Sequence, residues 1–93
     1  MHTLDQQVFG EIYERYFSRV YNYVSYRIND HADVEDLVST VFGRVIERYG
    51  DFDEGRGPLE AWIIGIAKNA VTDYFRGRSR HPVAQLEDLE GYL

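Results

Sequence analysis

Lys68, Asn69, Thr72 and Arg76 recur at three- and four-residue steps in the last third of the chain. On a helix, where each residue turns about 100°, that spacing gathers them on one strip. Asn69 offers a donor and an acceptor to a base edge, while Lys68 and Arg76 offer charge to phosphate. Arg78 and Arg80 extend the charge, and the small residues Ala61 and Gly65 begin the strip. A mid-helix glycine costs about 1 kcal/mol relative to alanine. Gly65 is therefore expected to meet either a closely packed neighbouring helix or an external backbone or base. Phe52, between Asp51 and Asp53, is a phenyl ring in a wet position. It either tucks back onto the core or serves as a stacking surface for an unpaired base. Trp62 falls on the apolar side of its helix and is expected to pack in the core.

A second strip has a different character. Asp36, Ser39, Thr40, Gly43, Arg44 and Glu47 lie opposite the apolar side of an earlier helix. A plain solvated face would favour Lys, Glu and Gln, and Ser, Thr and Gly are poor choices there. Small residues let a partner come close, and the acids suit a basic one.

Catalysis has no visible apparatus. His2, His31 and His81 are scattered, without metal-ligand spacing, and the chain has no cysteine to supply a thiolate or a disulfide. Neither a nucleophile elbow nor a glycine-rich phosphate loop is present. Asp51-x-Asp53-x-Gly55 resembles the start of a calcium loop, but its twelfth position is Trp62, where a bidentate Glu is required. The expectation is a protein that is not an enzyme and needs no cofactor. No apolar run approaches the roughly 20 residues of a membrane span. The start lacks the basic and apolar segments of a signal peptide, so a cytoplasmic location without membrane contact is expected.

Charge is unevenly distributed. The 93 residues carry a net −6, but residues 1–55 hold −6, residues 56–80 hold +3 and residues 81–93 hold −3. The overall sign disfavours long-range attraction to nucleic acid. The gradient is compatible with two binding surfaces of opposite character.

Three helices must position these residues. Phe9, Ile12, Tyr13, Tyr16, Phe17, Val20, Tyr23, Val24 and Ile28 predict a helix over about Leu4–Ile28. Val34, Leu37, Val38, Val41, Phe42, Val45, Ile46 and Tyr49 predict a second over about Val34–Tyr49, with Asp33 as its N-cap and Gly50 left-handed after its end. Leu59, Trp62, Ile63, Ile66, Ala67, Ala70, Val71 and Tyr74 predict a third over about Pro58–Arg76, ended by Gly77. Asp51 to Pro58 reads as a loop. Residues 83–93 read as a short docked helix or a tail. The fold class is all-α, a small bundle of three to four helices, with a domain over 1–80 and a linker or tail over 81–93.

The segment from Asp33 to Phe42 (DVEDLVSTVF), then Phe52, then Ala61 to Asn69 (AWIIGIAKN) with an Arg-rich end, closely resembles region two of a bacterial sigma factor. The compact form points to the extracytoplasmic-function (ECF) group. The resemblance covers about residues 8–80. It implies a helical domain whose second helix binds the clamp helices of the β′ subunit of core RNA polymerase. It implies also that the last helix and the loop before it recognise and open the −10 promoter element, holding an unstacked non-template base. Carried over residue by residue, polymerase binding falls on Asp36, Ser39, Thr40 and Arg44, with Leu37 and Val38 alongside and Gly43 on the same face. Promoter contacts fall on Phe52, Arg56, Ile64, Lys68, Asn69, Thr72, Arg76, Arg78 and Arg80. An anti-sigma factor is a further implied partner. The chain departs from the family pattern at Ser39-Thr40, often Gln-Glu, and at Ile64-Gly65, often Tyr-Arg; the family's second DNA-binding domain is not in this sequence. The runner-up reading is a stand-alone interaction module that binds polymerase or a regulator without opening DNA. A helix-turn-helix reader of duplex DNA comes third, because a long loop, not a short turn, precedes the basic helix.

Overall fold

The computed structural model describes residues 5–79. The expected linker or tail over 81–93 lies outside them, as does Arg80. Three α-helices account for most of the described chain: α1 (Gln6–Arg27), α2 (His31–Arg48) and α3 (Leu59–Ser79). Each packs against the other two, as expected for an all-α bundle.

Capping residues set where the helices begin. The Asp5 carboxylate accepts from the Val8 N–H at 2.8 Å and starts α1. Asp30, not Asp33, caps α2: its carboxylate accepts from the Asp33 N–H at 3.0 Å, and its carbonyl accepts from Val34 at 2.9 Å. The sequence supplies an aspartate at both positions. The earlier one wins because it adds most of a turn of hydrogen bonds. It also releases the Asp33 carboxylate to accept the Tyr74 hydroxyl of α3.

The ends differ from expectation in two places. Gly50 lies within a 3₁₀ turn (Tyr49–Asp51) that continues from α2, and the one positive φ among the described residues belongs to Gly57, at 141°. A second 3₁₀ turn (Glu54–Arg56) precedes it, capped by the Asp53 carboxylate, which accepts from the Gly55 N–H at 2.9 Å. The expected loop is thus two tight turns joined at extended residues, and Gly57 supplies the backbone reversal into Pro58 and α3. At the far end, Gly77 keeps a helical backbone and α3 runs on to Ser79. A glycine stops a helix only by turning left-handed, and nothing here makes it do so.

The core lies along the shared seam. Ile12, Val20, Val24 and Ile28 meet Val34, Val38, Val41, Phe42 and Val45, and both meet Ile63, Ile66, Ala67, Ala70 and Val71. Each fully buried valine or isoleucine contributes about 1.5–3 kcal/mol. Ala67 and Ala70 are small enough to let α3 settle close to its neighbours. An aromatic ladder, Phe9–Tyr13–Phe17–Tyr21, runs along α1 with successive ring centroids 6.0, 5.2 and 5.8 Å apart, and Phe42 of α2 sits against it, 4.8 Å from Tyr13. Tyr13 and Ile46, both on the expected apolar sides, remain 42% and 49% exposed. The apolar stripes are wider than the contact seam, so their flanks stay in solvent.

Candidate functional site

The strip on α3 emerges whole. Ala61, Gly65, Lys68, Asn69, Thr72 and Arg76 are all exposed. A Cβ added at Gly65 would meet no heavy atom of another element within 4 Å, so no neighbouring helix presses on it. Of the two explanations for this glycine, close internal packing is excluded. Thr72 turns its hydroxyl onto its own helix, donating to the Lys68 carbonyl at 2.9 Å. That leaves the Thr72 oxygen as an acceptor only. Ile64 is half-buried against the core beside this strip. Arg78 continues α3 in its last turn.

The loop before α3 forms an open cleft of about 260 Å³ lined by Asp51, Asp53, Arg56, Gly57, Pro58, Ala61 and Trp62. Ala61 belongs to both cleft and strip, so the two are continuous. Phe52 is half-buried, with its ring 5.3 Å from Trp62 and 6.3 Å from Tyr49. It therefore answers to both sequence readings: the ring is folded back, but onto an aromatic cluster at the edge of the core. Trp62 likewise does more than fill the core, packing against it with one side and lining the cleft with the other. Arg56 reaches into solvent, 89% exposed, with its Nε 3.8 Å from the Asp53 carboxylate.

Charge divides this surface. Asp51, Asp53 and the exposed Arg56 line the cleft and Glu54 stands next to them, whereas Lys68 and Arg76 stand along α3. A planar group such as a base suits the cleft, with the Trp62 ring on one side and the carboxylates of Asp51 and Asp53 as acceptors. Among the described residues, no cluster of His, Cys, Asp or Glu could hold a metal ion. No described helix is long and apolar enough to cross a membrane.

On α2, Asp36, Ser39, Thr40 and Glu47 are exposed, and the Thr40 hydroxyl donates to the Asp36 carbonyl at 3.0 Å. Gly43 is half-buried, with open space where a Cβ would stand. Leu37 is half-buried and Val38 is part of the core, so these two hold the helix down more than they face outward. Arg44 is not free: its guanidinium donates to Asp73 of α3 at 3.4 Å.

Sequence reading missed three features. One is that Arg44–Asp73 pair. Another is the Tyr74–Asp33 bond. The third is a shallow groove of about 170 Å³ lined by Tyr13, Phe17, Tyr21, Glu35, Val38 and Ser39, between α1 and α2. The Tyr13, Phe17, Tyr21 spacing signalled the groove. Nothing in the sequence pairs residues that lie far apart along the chain.

The sequence profile of the sigma-70 region 2 family matches residues 12–81. The chain belongs to that family. Its curated relatives include the ECF RNA polymerase sigma factor BldN of Streptomyces coelicolor, 38% identical over 72 residues that cover 77% of this chain and 27% of the relative. The ECF RNA polymerase sigma factor SigX of Bacillus subtilis is 32% identical over 71 residues, 76% of this chain and 36% of the relative. SigM, an ECF sigma factor of the same organism, is 30% identical over 83 residues, 89% of this chain and 49% of the relative. This region 2 chain thus spans between about a quarter and a half of the length of these relatives. No solved structure gave a significant match. The family match takes in α2, the loop cleft and α3 together, along with most of α1.

Proposed function

We propose that this chain is the part of a bacterial transcription initiation factor that binds core RNA polymerase and recognises and melts the −10 promoter element. The carrying observation is the continuity of cleft and strip. A cleft walled by Trp62 and bearing Asp51, Asp53 and Arg56 leads directly into an exposed line of Gly65, Lys68, Asn69, Thr72 and Arg76, in a chain of the sigma-70 region 2 family.

Melting needs no covalent chemistry. An open strand is favoured when its unstacked bases and backbone find partners that duplex DNA cannot offer, and stacking is worth about 1–3 kcal/mol per base. In this reading, a non-template base enters the cleft beside Phe52 and Trp62. Asn69 reads a base edge. Lys68, Arg76, Arg78 and Arg80 hold phosphates, with Arg56 at the mouth, and Ile64 and Thr72 flank the path. The α2 face of Asp36, Ser39, Thr40 and Gly43, with Leu37, Val38 and Arg44 behind or beside it, meets the β′ clamp helices. An anti-sigma factor competing for these surfaces is a further expected partner. Region two extends over 1–80, and 81–93 serves as linker. The protein works in the cytoplasm by binding alone.

The net charge of −6 opposes attraction of DNA from a distance. The free chain therefore binds DNA weakly and at low salt, and polymerase supplies the rest. The test is co-purification with core RNA polymerase, followed by fluorescent oligonucleotides in the presence of polymerase. The expected result is a complex that prefers single-stranded non-template DNA to duplex. A polymerase complex indifferent to DNA would replace this reading with that of a stand-alone interaction module.

A further inference from the structure

The α3 strip carries a neighbour that should spoil it. Asp73 lies four residues after Asn69 and three before Arg76, so its carboxylate is within the ordinary reach of an (i, i+3) pair with Arg76. It does not form that pair. Asp73 is instead 3.4 Å from the Arg44 guanidinium, which comes across from α2 with only 24% of its side chain exposed. Arg76 is exposed and pairs with no carboxylate among the described residues.

We infer that Arg44 is a positioning residue for the DNA strip: it draws the Asp73 carboxylate toward α2 and so keeps Arg76 and Asn69 available to nucleic acid. The inference rests on the DNA-binding reading above. It gives Arg44 work within its own chain in addition to any contact on the α2 face. The half-buried guanidinium stands at a fixed place on α2, so the carboxylate is held on one side of α3. Without it, Asp73 turns to Arg76, the nearest cation on its own helix, and takes up charge that phosphate would otherwise meet. The Asn69 amide, one turn back, gains the same carboxylate as a competing acceptor.

A double-substitution cycle separates this account from simple loss of positive charge. Removing the Arg44 charge weakens attraction to any phosphate equally, whether or not Asp73 is a carboxylate, so that contribution cancels between backgrounds. Sequestration of Arg76 requires the carboxylate. The full chain, its Arg44→Ala and Asp73→Asn variants and the double variant are titrated at low salt against a fluorescent single-stranded oligonucleotide, with helicity followed by circular dichroism. Arg44→Ala is expected to lower affinity severalfold in the native background and less than twofold beside Asp73→Asn. Arg44→Lys should retain most of the affinity, because it keeps a cation within reach of Asp73. Equal fold losses in the two backgrounds, with helicity intact, would overturn the inference. Arg76→Ala serves as the separate control. If it leaves binding unchanged, the DNA-binding reading of the strip fails, whereas a working Arg76 with an additive Arg44–Asp73 cycle defeats the positioning role alone.

Discussion

The exposed faces of α2 and α3 both break the helix-former rule with a mid-helix glycine and hydroxyl residues, yet the fold treats them differently. On α3 every member of the strip stands in solvent, from Ala61 to Arg76. On α2 the outer members are exposed, but Gly43 and Arg44 are half-buried and Arg44 is tied to α3. One face is a free rail with an open cleft at its head; the other is a firm surface whose far edge is committed to the neighbouring helix. A rail suits a flexible ligand laid along it. A firm, small-residue surface suits a rigid partner brought close.

Four experiments probe that contrast. The largest effect is expected from Asp36→Lys combined with Gly43→Trp. Open space at Gly43 means that the ring can be housed outside the fold, so helicity should persist. Affinity for core polymerase should fall by about 2 kcal/mol or more, the scale of a contact hot spot. An unchanged pull-down would move the polymerase contact off α2. Next comes Asn69→Ala, measured with oligonucleotides varied one base at a time on the polymerase complex. It should cost about 1–3 kcal/mol on the cognate base and little on others, while Arg76→Ala weakens every sequence alike. Uniform loss from Asn69→Ala would make α3 a rail without a reader.

The third experiment acts on the joint between the faces. Gly57 holds φ at 141°, which an alanine reaches only with strain of roughly 1–3 kcal/mol. Gly57→Ala should lower thermal stability accordingly and distort the cleft mouth, and an unshifted melting curve would show that the loop relaxes freely. The smallest effect has the opposite sign. Gly65→Ala meets open space, so it should stabilise α3 by about 0.5–1 kcal/mol. If the strip needs a small residue for close approach, the same change lowers DNA affinity. A variant that is more stable and binds as well would leave Gly65 without a functional reason.

Much of this was legible before any coordinates. Three-and-four spacing identified the core residues of all three helices, because apolar burial is the main force at work and it imprints its period on the sequence. The same wheels isolated both exposed strips, since residues excluded from burial are what remain. Errors gathered at ends and flanks. Two aspartates, Asp30 and Asp33, were equally good caps by type, and only the extra turn and the Tyr74 partner chose between them. Ile46 and Tyr13 belonged to stripes broader than the seam. Gly50 and Gly77 carried the signature of a helix stop without the left-handed turn that makes one.

By itself, then, the amino-acid sequence determined the all-α class, the order of the helices and which residues were left over for partners, since these follow from periodicity along a single helix. Tertiary structure alone decided how residues from different helices meet. It joined the cleft to the strip through Ala61, split Trp62 between core and cleft, and brought Arg44 to Asp73 across 28 intervening residues. A side chain's range along its own helix is about one turn. Contacts beyond that range depend on how the helices cross, and the packing of Ala67, Ala70 and their buried neighbours sets that crossing.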